Sequence, residues 1–281
     1  MRMCYLDGHI LPLAEARVSV LDRGFIFGDA VYEVVPVTAG QLFAWPEHYA
    51  RLEQSLAATQ IPNPFDAAGW QACLDRLIDA NGGGDLSLYL QVTRGVAERD
   101  HAFPPDLVPT VFAMCRPLVM SGELMRVSAV TLPDNRWGRC DIKATSLLAN
   151  VLLRNDAVRR GAYDAILVRN DWLTEGAASN VFVVHDGEVR TPPQSTLILP
   201  GVTRALLLKV TRRVGHAAVE SAVHADELAS ADEIWLTSSS RDLVCVQELD
   251  GRPVGDGTHY PVAEIVFAAF QDYRAERLSG A

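Results

Sequence analysis

The amino-acid sequence predicts an α+β protein built from two domains. In the first 115 residues, short strand segments joined by local turns alternate with two helical segments. The second half contains mostly strands and fewer helices. Residues 116–124, between the halves, contain proline and glycine, which favours a linker. We therefore assign residues 1–115 to a smaller N-terminal α+β domain and residues 125–281 to a larger C-terminal domain of mixed strands and helices.

The elements of the N-terminal half follow from turn signals and hydrophobic periodicity. Asp7 and Gly8 form a dipeptide typical of hairpin turns, so they predict a hairpin. Gly24 and Gly28 predict a loop over residues 18–29 that needs open backbone angles. The predicted strands cover residues 3–7, 9–13, 30–37, 86–94 and 108–115, and the predicted helices cover residues 46–58 and 67–80.

The C-terminal half is predicted by the same signals. A helix is expected to follow Lys143 directly and to end near Arg160, with Asp141 as its N-cap. A second helix starts after Gly201. The other predicted elements are strands at residues 125–132, 163–169, 172–176 and 233–237, hairpins at 180–191 and 243–255, and helices at 225–230 and 260–278.

Composition excludes several classes of protein. Hydrophobic residues make up 49% and charged residues 21% of the chain, as in soluble globular proteins. The net charge of −10 argues against nucleic acid or an anionic membrane as the main partner. No apolar run is long enough for a membrane span or placed as in a signal peptide. The five cysteines and seven histidines lack metal-type spacing, so we expect no metal site and a reduced, cytoplasmic setting.

Lys143 is the first candidate for chemistry. It follows the apolar Ile142 at the mouth of a predicted helix, where a permanent ammonium group is costly. Burial lowers the pKa of a lysine and frees its amine for Schiff-base chemistry. The alternative interpretation is a lysine whose stem covers an apolar face while its ammonium group reaches solvent.

Three features are typical of phosphate binding. Val202 and Thr203 follow a glycine at the start of a helix, where free backbone N–H groups attract anions. Ser238 and Ser239 belong to a hydroxyl-rich turn after a strand, and Arg51 adds a positive charge. Each has an ordinary alternative, namely a common helix start, a polar turn or a solvated arginine. Because no nucleotide-binding glycine motif is present, we expect a monophosphate on a small cofactor.

Glu175 is a carboxylate in a stretch of otherwise apolar or small residues. If it points inward it needs a cationic partner, and a protonated pyridine nitrogen would serve. The alternative is an ordinary glutamate in a turn. The sequence has no Gly-x-Ser-x-Gly motif and no metal-type histidine spacing, which argues against serine and metal hydrolases.

Four segments, taken together, closely resemble the fold type IV class of pyridoxal-phosphate enzymes. They are residues 27–33, 140–143, 174–182 and 199–204, and the similarity runs nearly end to end. The class includes D-amino acid aminotransferases, branched-chain aminotransferases and aminodeoxychorismate lyases. The resemblance implies a two-domain α+β architecture with pyridoxal 5'-phosphate in the cleft between the domains.

The resemblance also implies a role for each candidate. Lys143 forms the Schiff base with the cofactor and moves the proton, and Glu175 pairs with the pyridine nitrogen. The implied phosphate-binding residues are Arg51, Val202, Thr203, Ser238 and Ser239.

A loop at residues 93–104 indicates the subtype. It resembles the loop of D-amino acid aminotransferases, in which an Arg-x-His pair acts with a tyrosine to receive the substrate carboxylate. Here the pair is Arg99 and His101, and the tyrosine is Tyr32. The alternative is a solvated loop that happens to carry both residues. In the family this loop reaches the active site of the neighbouring subunit, which implies a homodimer.

Two positions depart from the family pattern. Arg241 adds a positive charge to a serine-rich turn where threonines and a Ser-Glu pair are more usual. Gly138 removes a side chain near Lys143, and we interpret this as a wider pocket that admits bulkier substrates, including amines without a carboxylate.

The predicted function is ping-pong transamination from a D-amino acid such as D-alanine to a 2-oxo acid such as 2-oxoglutarate. Three alternatives keep the cofactor and change the reaction: an aminodeoxychorismate lyase, a branched-chain L-amino acid aminotransferase and an (R)-amine transaminase. A fourth is a non-catalytic carrier of pyridoxal phosphate, whose chromophore would not respond to amino acids.

Overall fold

The structure is a computed structural model that describes residues 1–280. Its internal contacts divide the chain into two compact units. The first unit contains Met1–Val119 together with Ile142–Ser146, and the second contains Met120–Asp141 and the chain from Leu147 onward. Lys143 thus belongs by its contacts to the first unit, whereas the sequence analysis placed it in the C-terminal domain.

The first unit is built on one antiparallel sheet of six strands. Its elements are β1 (Met3–Leu6), β2 (His9–Pro12), α1 (Arg23–Phe27), β3 (Ala30–Thr38), β4 (Gln41–Leu42), α2 (Trp45–Thr59), α3 (Ala67–Ala80), β5 (Leu86–Thr93) and β6 (Val111–Pro117). The strand order in the sheet is β2-β1-β6-β5-β3-β4. Helices α2 and α3 pack against the sheet around a core that includes Val35, Leu52, Leu74 and Leu88.

Helix α1 lies where the sequence analysis expected a loop. The side chain of Asp22 accepts a hydrogen bond of 2.7 Å from the backbone N–H of Gly24 and caps the helix. Gly28 ends the helix with φ +66°, a left-handed conformation that glycine adopts without strain. Only the second of the two glycines therefore needs an open backbone angle.

The segment Ile142–Ser146 runs beside β3. Tyr32 donates its backbone N–H to the carbonyl of Lys143 at 2.9 Å, and Thr145 donates to the carbonyl of Ala30 at 3.0 Å. Because these backbone groups bond to β3, the expected helix does not start at Lys143. Helix α4 (Leu148–Arg159) starts later and has no side-chain cap. The predicted cap, Asp141, was wrong, since its carboxylate accepts from Arg139.

The second unit is built on a mixed sheet of nine strands. Besides α4, its elements are β7 (Met125–Pro133), β8 (Asp164–Arg169), β9 (Trp172–Gly176), β10 (Asn180–His185), β11 (Glu188–Thr191), α5 (Val202–Arg213), β12 (Ala218–Glu220), a 3₁₀ helix (Ala225–Ser230), β13 (Glu233–Ser238), β14 (Asp242–Leu249), β15 (Arg252–Pro253) and α6 (Pro261–Ser279). The strand order in the sheet is β12-β11-β10-β13-β14-β7-β8-β9, with β15 paired to β14. The pairs β14–β7, β7–β8 and β11–β12 are parallel.

Helices α5 and α6 pack on each other and on β13, while α4 packs on β7 and β8. The sequence analysis missed β12, a strand of three residues whose pairing partner β11 lies far away in sequence. Within residues 1–280, no helix combines the length and the apolar character that a membrane crossing requires.

Candidate active site

Lys143 is held through its backbone while its amine stays half-buried. Its backbone N–H donates to Oγ of Ser55 at 3.2 Å, and its carbonyl accepts from Tyr32. The Nζ atom lies 4.3 Å from the centre of the Tyr32 ring, on the face of a π-system that attracts cations. Tyr32 in turn stacks on Tyr89 at 5.7 Å. The structure therefore brings two of the predicted residues, Lys143 and Tyr32, into contact.

Arg51 is buried on α2 and bound to Glu33 on β3. Its Nε donates to Oε1 of Glu33 and its Nη2 to Oε2, both at 2.8 Å, in a two-pronged ion pair. Nδ1 of His48 lies 2.8 Å from the same carboxylate. Burial opposes ionisation of Glu33, but Arg51 and His48 outweigh it and hold the pKa of Glu33 well below its usual range. The sequence analysis missed Glu33, which fixes the orientation of the guanidinium group of Arg51.

Glu175 is a buried carboxylate with three donors. Oε2 accepts from Nδ2 of Asn180 and from the backbone N–H of Leu199, each at 2.9 Å. Oε1 accepts from Nη1 of Arg136. Burial raises the pKa of Glu175 to about 7, against the opposing effect of the Arg136 guanidinium. The cationic partner that the sequence analysis required for an inward glutamate is thus present within the protein.

Arg136 is itself held by Asp134. Nε and Nη2 of Arg136 each donate to the Asp134 carboxylate at 2.9 Å. Asp134 also accepts from Oγ1 of Thr174 at 2.9 Å and lies 3.1 Å from the guanidinium group of Arg169. Burial opposes ionisation of Asp134, but its contacts with Arg136 outweigh this effect and lower the pKa of Asp134 to about 2. Arg136 is therefore locked between two acidic side chains, a role that the sequence analysis did not assign to it.

Helix α5 begins after a glycine N-cap. Its N-cap, Gly201, contributes no side-chain hydrogen bond, so the first N–H groups of the helix have no capping oxygen from that residue. Gly201 also allows a close approach, because a Cβ there would lie 1.9 Å from Oδ1 of Asn180. Val202 and Thr203 begin the helix, and both are buried.

The end of strand β13 is connected to this helix start through Asn180 on the neighbouring strand β10. Thr237 pairs in register with Asn180, the residue that contacts Gly201. Its Oγ1 is buried and has no hydrogen-bond partner among the residues described. Ser238 ends the strand and Ser239 follows it in a turn, both partly exposed. A buried hydroxyl group that no described residue satisfies, together with a helix that its N-cap side chain does not cap, suits the phosphate group of a small cofactor.

Arg99 and His101 lie together on an exposed loop. The guanidinium carbon of Arg99 is 5.4 Å from the ring centre of Phe27, and the His101 ring is 5.3 Å from it. Tyr32, the third predicted carboxylate ligand, instead contacts Tyr89 and Lys143. Gly138 is exposed, and a Cβ at that position would meet no atom within 4 Å.

Comparison with known proteins shows the family and the fold of the chain. The family model for class IV amino-transferases matches residues 30–249. The D-alanine aminotransferase of Bacillus licheniformis is 40% identical over 268 residues, which covers 95% of both chains. The fold IV-transaminase CpuTA1 from Curtobacterium pusillum is 30% identical, with a TM-score of 0.82 over 96% of this chain and 92% of its own. The branched-chain aminotransferase of Escherichia coli superposes with a TM-score of 0.88 over 96% of this chain and 93% of its own at 24% identity, a likeness of fold alone.

Proposed function

The chain belongs to the class IV aminotransferase family, and we propose that it transfers the amino group of a D-amino acid such as D-alanine to a 2-oxo acid such as 2-oxoglutarate. The observation that supports the choice of substrate is that Arg99 and His101 are exposed residues of one loop and that both lie near the ring of Phe27. Two exposed hydrogen-bond donors on one loop suit a carboxylate. The similarity to a D-alanine aminotransferase over nearly the whole chain supports the same choice.

The proposed cofactor is pyridoxal 5'-phosphate. When bound, it supplies a conjugated ring that holds the electrons released at the substrate α-carbon. Glu175 would keep the pyridine nitrogen protonated, since its buried carboxylate is fixed by three donors. The residues that would hold the phosphate group are Arg51, Val202, Thr203, Ser238 and Ser239.

Lys143 would bind the cofactor covalently and, once released by the incoming amino acid, move the proton. Its neutral amine would take the proton from the substrate α-carbon, and the ammonium group so formed would donate that proton to C4′ of the cofactor, which restores the neutral amine. The backbone bonds to Ser55 and Tyr32 fix the main chain at Lys143, from which the side chain extends to Nζ beside the Tyr32 ring. The half-reactions then follow one another in ping-pong order.

A homodimer is the proposed assembly. Leu148, Val151 and Leu152 on helix α4 are 73%, 59% and 59% exposed, and their spacing places them on one face. An apolar stripe of this kind is typical of a surface that a second chain covers. Light scattering at micromolar concentration tests this, with a monomer mass as the contradicting result and Leu152→Asp as the variant expected to dissociate a dimer.

We propose a cytoplasmic location because the cysteines are not paired in disulfides. All five are free and buried in the structure. Thiols without disulfide partners are typical of reducing compartments. Fractionation of the native host would test this directly.

The test of the proposed function uses the small number of lysines in the chain. The sequence contains only two, Lys143 and Lys209. Borohydride reduction of the protein loaded with pyridoxal phosphate, followed by peptide mass analysis, is expected to place the cofactor on Lys143 alone. Lys209, whose Nζ lies 3.4 Å from the Tyr273 hydroxyl, is the internal control. A cofactor on Lys209, or on neither lysine, would contradict the proposal.

The amino acceptor separates the proposed reaction from its alternatives. With D-alanine and 2-oxoglutarate the protein is expected to form pyruvate and glutamate in equal amounts, and no pyruvate when the acceptor is omitted. Pyruvate released from aminodeoxychorismate without an acceptor would indicate a lyase. Turnover of L-leucine in place of D-alanine would indicate a branched-chain enzyme.

A further inference from the structure

Arg23 binds the backbone of the loop that carries Arg99 and His101. Its Nη1 donates to the carbonyl of Asp100 at 2.6 Å and to that of Ala102 at 3.3 Å. Its Nη2 donates to the carbonyl of His101 at 3.4 Å. Arg23 is itself buried at the start of α1. One guanidinium group therefore contacts three consecutive carbonyls of a segment that has no regular secondary structure.

Asp29 joins Arg23 to a second buried arginine. Its Oδ2 accepts from Nε of Arg23 and from Nε of Arg94, both at 2.8 Å, and its Oδ1 accepts from Nη2 of Arg94 at 2.9 Å. Although burial opposes ionisation, the two arginines lower the pKa of Asp29. The carboxylate is thus charged at neutral pH and fixes both guanidinium groups.

Arg94 holds the far end of the same loop. The guanidinium carbon lies 3.6 Å from the centre of the Phe103 ring, a close cation–π contact. Nη2 and Nη1 donate to the carbonyls of Thr59 and Gln60 at 2.7 and 3.0 Å, which anchors Arg94 to the end of α2. The loop is therefore bound at its backbone by Arg23 and at Phe103 by Arg94.

We propose that Arg23 and Arg94, joined through Asp29, are positioning residues that hold the loop at residues 99–103 in the conformation in which Arg99 and His101 receive the substrate carboxylate. This inference rests on the proposed function, in which the loop binds that carboxylate. Neither arginine is required to touch substrate. A loop fixed before binding loses less conformational entropy when the carboxylate arrives, so the benefit falls on substrate affinity.

The test compares four variants, with Arg99→Ala as a fifth, by steady-state kinetics with D-alanine and by hydrogen exchange of the loop. Arg23→Gln removes the carbonyl contacts, and Phe103→Ala removes the ring beneath Arg94. Phe103 is 53% exposed, so its truncation does not threaten folding. Arg23→Lys keeps the charge with fewer donors. Arg17→Gln is the matched control, because Arg17 also binds carbonyls, those of Ala14 and Ala16, but in a different loop.

Arg23→Gln and Phe103→Ala are expected to raise KM for D-alanine roughly tenfold while kcat changes less than about threefold, the pattern of lost binding without lost chemistry. Loop amides at residues 97–105 are expected to exchange faster in both variants. Arg23→Lys is expected to fall between wild type and Arg23→Gln, and Arg17→Gln to match wild type.

An unchanged KM in Arg23→Gln and Phe103→Ala overturns the inference, whether or not the loop exchanges faster. An equal loss of kcat and kcat/KM overturns it as well, since that pattern indicates damage to the chemistry. Arg99→Ala separates this failure from failure of the proposed function. If Arg99→Ala raises KM and Arg23→Gln does not, only the positioning role fails. If Arg99→Ala leaves KM unchanged, the carboxylate-binding role of the loop fails.

Discussion

Arg136 donates a hydrogen bond to Glu175, and both side chains are buried. A buried carboxylate that must stay charged needs such a partner, because burial alone favours the neutral form. Asp134 holds the other side of the guanidinium group and prevents it from turning away. Asp134 and Glu175 carry two negative charges when ionised, and the guanidinium groups of Arg136 and Arg169 balance them in formal charge. A protonated pyridine nitrogen would therefore be attracted by the nearby Glu175 carboxylate itself.

Arg136→Gln is expected to raise the pKa of Glu175 above its value of about 7. The reason is that the variant removes the adjacent positive charge while leaving the carboxylate buried. Since removal of a contacting opposite charge shifts a pKa by about 1–3 units, the acid limb of the kcat profile should move to higher pH by about one unit or more. The profile is measured with D-alanine at saturating concentration.

Arg139→Gln is the matched control for this prediction. Arg139 is exposed and pairs with Asp141, so the same substitution there removes a surface ion pair. Its pH profile should coincide with that of wild type. An acid limb that stays in place in Arg136→Gln would show that Glu175 does not depend on Arg136.

Glu33→Gln is expected to destabilise the protein at neutral pH by about 3 kcal/mol, because it leaves a buried arginine without its counter-charge. The pKa of Glu33 is held well below its ordinary value of 4.5 in the folded protein. The contribution of the Glu33 carboxylate to the unfolding free energy is therefore complete above pH 4.5 and is lost as the pH falls from 4.5 towards the lowered pKa of the folded protein. The difference in unfolding free energy between wild type and variant should shrink in acid.

Denaturant titrations at neutral pH and below pH 4.5, the ordinary pKa of this group, measure this difference. Glu53→Gln, on the exposed side of the same helix α2, serves as the control and should change stability little at either pH. A difference in unfolding free energy between wild type and Glu33→Gln that is equal at both pH values would contradict the charged state assigned to Glu33.

Thr237→Val is expected to separate folding from cofactor binding. Among residues 1–280 the buried Thr237 hydroxyl has no hydrogen-bond partner, so valine should leave the cofactor-free protein as stable as wild type or more stable. The same change should weaken pyridoxal phosphate binding about tenfold, as expected for a lost hydrogen bond to a charged acceptor. Thermal unfolding of the cofactor-free protein measures the stability, and fluorescence titration with pyridoxal phosphate measures the cofactor affinity.

Thr211→Val should give the opposite result. The Thr211 hydroxyl donates to the carbonyl of Leu207 at 2.8 Å within helix α5, so valine should cost stability and leave cofactor affinity unchanged. If Thr237→Val binds the cofactor as tightly as wild type, the end of strand β13 is not part of the phosphate site.

Gly138→Leu is expected to narrow the range of substrates. A Cβ at Gly138 meets no atom within 4 Å, so the larger side chain should be accommodated without loss of stability. If the missing side chain widens the substrate pocket, the rate ratio of bulky D-amino acids to D-alanine should fall in the variant. Equal ratios before and after the substitution would contradict this role for Gly138.

The sequence predicted most elements because their signals are local. Helix α3 was predicted at residues 67–80 and spans Ala67–Ala80, and the Asp7-Gly8 hairpin is present with φ values of +44° and +93°. The start of α4 was wrong because the backbone of Lys143 and Thr145 bonds to β3 instead of forming a helical turn. Pairing with a distant strand leaves no trace in the local pattern.

In the candidate site, too, features with a local sequence signal were predicted and features formed by distant residues were not. Candidate residues for the chemistry, such as Lys143 and Glu175, were recognisable from short motifs, and their roles stay predictions. Their partners were not, because Arg136 and Glu175 are separated by 39 positions and Arg51 and Glu33 by 18. A buried charged pair becomes visible only when the fold brings its members together. Which residues hold the catalytic groups therefore had to come from the structure.

The central claim is that Lys143 and its surroundings transfer the amino group of a D-amino acid. The most direct measurement is the absorbance spectrum of the protein loaded with pyridoxal phosphate, recorded before and after addition of D-alanine and, separately, of L-alanine. We predict that D-alanine removes the visible band of the bound cofactor and releases pyruvate, while L-alanine does neither. A band that responds to L-alanine alone, or to neither isomer, would contradict the claim.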